Sequence, residues 1–210
     1  MLVQYYGHCC FALQTSDGRR AVFDPYEERI GYRAPLRPAQ VTLVSRDHFA
    51  HAHLPSVLGR TVPIRGAADR EVEGFRVRGV VGGHGPESEP VICFCVEVDG
   101  LRVCHLSMVE SLDGEQLRQL GSVDLLLFPC GGGGALDAAR AADVVRQLQP
   151  RWAIPMGYRT PFLDRSLFPA LSPVEDLGRL LKMERRREST VELRADHPSG
   201  TLVLWVPHAC

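Results

Sequence analysis

No stretch of this 210-residue chain stays apolar for the roughly 20 residues that a membrane-spanning helix needs, so no span and no membrane partner are expected. Charge of one sign is equally scarce. The 24 Lys and Arg balance 25 Asp and Glu to a formal net charge of −1, which gives no global field toward nucleic acid or anionic lipid. Met1 to Tyr6 carries neither a basic leader nor an apolar signal core, so the cytoplasm is the expected location. The seven cysteines are odd in number and lack the spacing of a disulfide framework. No linker, short repeat or low-complexity segment interrupts the sequence, which leaves a single domain over residues 1–210.

What is present is patterned apolar sequence, 45% of the chain. Val3 to Tyr6, Cys10 to Gln14, Ala21 to Phe23 and Val41 to Val44 read as strands, and Phe75 to Arg78 alternates with the period of a half-exposed one. Val91 to Val98 and Leu101 to Leu106 flank Asp99-Gly100, a type I′ hairpin signal. That register sets Cys95 opposite Cys104. We read them as two buried thiols packed as small hydrophobes, a cross-strand bridge being the strained alternative. Helices are expected over Asp113 to Leu120, Asp137 to Leu148 and Val174 to Met183, with strands at Val123 to Phe128, Trp152 to Pro155, Val191 to Arg194 and Thr201 to Val206. Strands early and strand–helix alternation late imply a layered α/β domain with a mixed sheet.

Two features invite functional readings that fail. Gly131 to Gly134 follows a buried strand and precedes a helix, but neither G-x-G-x-x-G in its required context nor a Gly-Lys-Ser/Thr ending is there, so a turn near a cleft is the better reading. Arg185 to Arg187 is flanked by Glu184 and Glu188 and reads as a solvated face. The histidines say more. His48, His51 and His53 fall within six residues after the Val41–Val44 strand, and His84 sits in a glycine-rich loop. Clustered imidazoles at a strand exit suit zinc and related divalent ions.

Six segments in order then resemble the metallo-β-lactamase superfamily, in particular its branch similar to the ascorbate-phosphate lactonases: YYGHCCFAL (5–13), VFDPY (22–26), VSRDHFAH (44–51), VEVDGLRVCHLS (96–107), VDLLLFPCGGG (123–133) and IPMGYRTP (154–161). The resemblance implies a four-layered αβ/βα sandwich and a dinuclear metal site. Carried over one by one, the family's ligand positions fall on Arg46, His48, Ala50, His51, His84, Met108 and Gly157, so three of seven keep a metal donor. A fixed guanidinium at Arg46 repels a dication, and Ala50, Met108 and Gly157 offer no hard ligand.

Three functional readings follow. The favoured one is a protein without dinuclear hydrolase activity and without cofactor, whose former cleft, lined by Arg46, Asp47, His48, His51, His84, Met108 and Gly157, binds a small anionic molecule or a protein partner. The second is an altered hydrolase of small esters, lactones or phosphoesters, either metal-free or holding one zinc, iron or manganese ion on His48, His51 and His84, with His53 or Glu110 as recruits. His105 is expected to be structural and Asp47 a non-ligand. The third is a scaffold subunit. Arg46 either serves the pocket as its cation or pairs with Asp47 or Asp24.

Overall fold

The computed structural model describes residues 1–34, 37–83, 90–194 and 200–209. The first half of the chain is strands because short β-branched and aromatic runs are cut by turns: β1 Leu2–Gly7, β2 Cys10–Gln14, β3 Arg20–Phe23, β4 Arg37–Pro38, β5 Val41–Val44, β6 Val57–Leu58, β7 Val62–Arg65, β8 Asp69–Val72, β9 Phe75–Val81, β10 Ile92–Val98 and β11 Leu101–His105. The second half alternates: α1 Gly114–Leu120, β12 Leu125–Pro129, α2 Ala138–Leu148, β13 Trp152–Met156, α3 Glu175–Gly178, β14 Met183–Arg185, β15 Thr190–Glu192 and β16 Leu202–Trp205.

These strands form a six-stranded sheet in the order β15-β1-β2-β3-β5-β7, an eight-stranded sheet in the order β14-β16-β13-β12-β11-β10-β9-β8, and a small β4-β6 pair. One hydrophobic cluster holds the inner faces of both large sheets together. His105 at the end of β11 stacks on Phe23 of β3 with ring centroids 4.8 Å apart. Its Nε2–H donates to the Cys9 carbonyl at 2.8 Å, so it is structural, as expected. The α-helices come from the second half. Asp113 caps α1 through a reciprocal box with Gln116, and Asp137 caps α2, devices worth about 1 kcal/mol each. Ala141, Ala142, Val144 and Val145 form the buried face of α2. This is the mixed α/β sandwich expected, and among the described residues no helix is long and apolar enough to cross a membrane.

Two local expectations change. Asp99 and Gly100 both adopt positive φ, and Cys95 pairs with Cys104 in the hairpin register, but the two sulfurs are joined as a disulfide rather than left as thiols. Their Cα atoms are 4.2 Å apart, and directly opposed positions bring the side chains together. The helix expected over Val174 to Met183 is the single turn Glu175–Gly178. Gly178 weakens a helix there, and Met183 to Arg185 pair with β16 instead.

Topology gathers the site. β3, β5 and β7 run parallel in one sheet, and β11, β12, β13 and β16 run parallel in the other. β1 is antiparallel to β2, which is antiparallel to β3, so β1 ends at the same edge as β3. The loops after β1, β3, β5, β11, β12 and β13 therefore converge on one rim, where open α/β sheets place ligands.

Candidate metal centre

Three residues on these loops adopt left-handed backbone without being glycine: His8 after β1 (φ 49°), Asp24 after β3 (φ 45°) and Ser107 after β11 (φ 50°). Such conformations cost free energy and tend to persist where packing or function requires them. Here they point to one cluster. Asp24 is fully buried and accepts from the Ser45 backbone N–H at 2.9 Å, Ser45 Oγ at 2.8 Å, Ser107 Oγ at 2.6 Å and His51 Nδ1 at 2.8 Å. Burial opposes its charge, yet His51 and these hydrogen bonds prevail and hold its carboxyl down at about 2. Because His51 gives its Nδ1–H to Asp24, its Nε2 lone pair is left free, the arrangement that orients a metal-binding imidazole.

His8 lies beside it, with ring centroids 5.2 Å apart. His8 is 1% exposed, and neither ring nitrogen has a hydrogen-bond partner among the described residues. A buried imidazole unsatisfied on both nitrogens calls for an explanation. Burial first, then His51, pushes its pKa well below the ordinary value, so it is neutral. Cys9 follows directly, a free buried thiol whose pKa burial raises. One donor atom each from His8, Cys9 and His51 lie within 4.8 Å of one another. Ligand atoms of a tetrahedral zinc lie about 3.3–3.6 Å apart, so these donors, within 4.8 Å of one another, hold a single ion only if side chains close by up to about 1 Å.

A cleft of about 300 Å³ opens over the cluster, lined by His8, Arg46, His48 and His51 on one side and by Met108, Gly133, Gly134 and residues 167–171 on the other. His48 Nδ1 accepts from the Ala50 N–H at 3.3 Å, which makes Nε2 the protonated nitrogen of its neutral form. Burial, then His51 and Arg46, lowers its pKa to about 4. Arg46 lines the cleft without an ion pair among the described residues. Asp24 is committed as above, and Asp47 is exposed and pairs with Arg65 at 3.4 Å, so neither carboxylate neutralises it.

The other expected residues divide. Gly157 lies beneath Met108: a Cβ added at 157 would come within 2.6 Å of Met108 Sδ. The positions of two family ligands thus fill each other with thioether and bare backbone, and Ala50 is fully buried. His53 bonds Ser56 Oγ at 2.7 Å and does not line the cleft, nor does Glu110. His84 lies outside the described residues. Sequence reasoning used Gly7-His8-Cys9 only as a fold marker and missed its donors. It also missed Phe168 and its neighbours as the cleft wall.

A family model for the β-lactamase superfamily domain matches residues 2–157. The chain belongs to the metallo-β-lactamase superfamily. A UPF0173 protein of Pyrococcus furiosus is 32% identical over 185 residues, covering 76% of this chain and 84% of the relative. A UPF0173 metal-dependent hydrolase of Carboxydothermus hydrogenoformans is 26% identical over 201 residues, covering 76% and 85%. A crystal structure of a candidate Zn-dependent hydrolase of the superfamily from Thermotoga maritima superposes with a TM-score of 0.81 at 30% identity, over 98% of this chain and 99% of that one. These relatives overturn the favoured expectation that this metallo-β-lactamase-fold chain has given up hydrolysis and uses its cleft only for binding. They and a His–Cys–His group that could hold an ion support the alternative of a divalent metal, and leave the expectation of no cofactor without support.

Proposed function

We propose that this chain is a hydrolase of small esters, lactones or phosphoesters that depends on one divalent metal ion held by His8, Cys9 and His51. The observation that carries this reading is His8, buried with both ring nitrogens unpartnered beside the free Nε2 of His51 and the Cys9 thiol. Two imidazoles and a thiolate favour zinc over manganese. The charge balance supports it as well: thiolate at Cys9 and carboxylate at Asp24 offset the dication that Arg46 alone would repel.

When bound, such an ion supplies Lewis acidity and lowers the pKa of a coordinated water. The protein's own residues do the rest. Asp24 fixes the tautomer and direction of His51. His48, neutral at pH 7, presents Nε2–H to the cleft, where it can donate to an oxygen that gains charge as a carbonyl or phosphoryl group is attacked. Met108, Phe168 and Leu171 narrow the cleft and exclude bulk water.

The test is turnover of p-nitrophenyl acetate, bis(p-nitrophenyl) phosphate and a γ-lactone by zinc-loaded and chelator-stripped protein. Hydrolysis of at least one class, lost on stripping, restored by zinc and reduced about 10²-fold or more by His48→Ala, is expected. Equal rates with and without metal would overturn the reading.

A further inference from the structure

We infer that Arg46 is a specificity-determining residue that holds an anionic group of the substrate, so the hydrolase acts on small organic anions with an apolar body. This rests on the hydrolase reading above and extends it to the substrate's chemistry. Three observations carry it. Arg46 lines the cleft alongside His8, His48 and His51, and no described carboxylate pairs with it. Its Nε is buried and lacks a hydrogen-bond partner among the described residues, which leaves that N–H unsatisfied. A planar fork of N–H donors in that state matches carboxylate or phosphate oxygens two at a time.

The surroundings set the rest of the ligand. Arg46 is the one arginine or lysine among the described lining residues, so the fixed positive charge at the cleft is its guanidinium. The Asp24 charge is taken up behind His51 by four donors. The opposite wall is apolar, formed by Met108, Leu167, Phe168, Pro169 and Leu171, and the space is about 300 Å³. A small molecule with one anionic end and a short apolar or weakly polar body meets both walls. Seated so, its reactive carbonyl or phosphoryl group reaches the end of the cleft where His8, His48 and His51 meet. A long-chain or polyanionic substrate does not fit this space and charge.

Calorimetric titration of the full chain with hexanoate, hexyl phosphate and neutral hexanamide tests the inference, in zinc-free and zinc-loaded states, with zinc content measured on the same samples. In the zinc-free protein at least one anion is expected to bind about tenfold or more tighter than hexanamide. Arg46→Gln removes that preference and Arg46→Lys, which keeps the charge but not the fork, retains part of it. Whether hexanoate or hexyl phosphate is preferred identifies the anionic group. Equal binding of hexanamide, binding of none of the three, or a preference that survives Arg46→Gln would overturn the inference, and the wild-type result alone suffices for the first two. A preference that depends on Arg46 in protein that takes up no zinc keeps Arg46 as the anion-holding residue of the cleft but refutes the metal-dependent hydrolase and with it the substrate assignment. Zinc uptake without any anion preference does the reverse.

Discussion

Asp24 shows at the scale of one residue how the site is held. A carboxylate sealed in the core keeps its charge because four donors, His51 Nδ1–H among them, face it. Asp24→Asn leaves those donors competing for one carbonyl oxygen and turns an amide toward the rest. Urea denaturation of metal-free protein is expected to show a loss of about 3 kcal/mol, and zinc affinity is expected to fall about 10–100-fold as His51 loses its orienting partner. The same groups set the acid response. His8 and His48 have depressed folded pKa values, so the unfolded chain binds protons that the folded chain refuses. Stability of metal-free protein therefore falls as pH drops below the ordinary histidine value of about 6.5. Asp24 is also depressed, to about 2; its contribution is complete above the unfolded value near 4 and is lost as pH falls from there toward 2. Denaturation midpoints from pH 8 to pH 3 check both declines, and a flat profile from pH 7 to pH 5 would contradict the buried neutral histidines.

Between elements, the ends of β11 and β13 are locked by Met108 over Gly157. Gly157 has φ +59°, and a side chain there meets Met108 Sδ. Gly157→Ala is expected to destabilise by about 1–3 kcal/mol. In a Met108→Ala background the steric part disappears and only the backbone part remains, a coupling that a double-mutant cycle measures. Additive effects would show that the two residues do not touch. Much at this scale could be read from residue patterns alone. The strand runs, the Asp99-Gly100 hairpin and its register, and the capped helices after Asp113 and Asp137 all rest on local chemistry. What could not be read was pairing. Met183 to Arg185 follow a helix-like stretch and become an edge strand only because β16, about twenty residues later, offers a parallel partner.

For the whole molecule, the sequence placed part of the cleft wall, and only the fold brings His8 and Cys9 beside His51. VSRDHFAH marked the right loop and His48 and His51 do line the cleft, whereas the loss of carboxylates at Ala50 and Met108 suggested that metal had gone too. That inference treated ligand positions as fixed. The fold brings six loops to one rim, and the β1–β2 turn delivers His8 and Cys9 to His51 from some forty residues away in sequence. Spacing along a chain cannot show such convergence. Only the topology, with β1, β3 and β5 all ending at one edge, makes a histidine in Gly7-His8-Cys9 a partner for one after β5.

Elemental analysis of protein purified without chelator tests the central claim most directly, paired with the absorption spectrum of the cobalt-substituted form. One metal ion per chain is predicted, lost in His8→Ala and in His51→Ala, with a thiolate-to-cobalt charge-transfer band that Cys9→Ser abolishes. Two ions per chain, none, or one that survives His8→Ala would contradict the account.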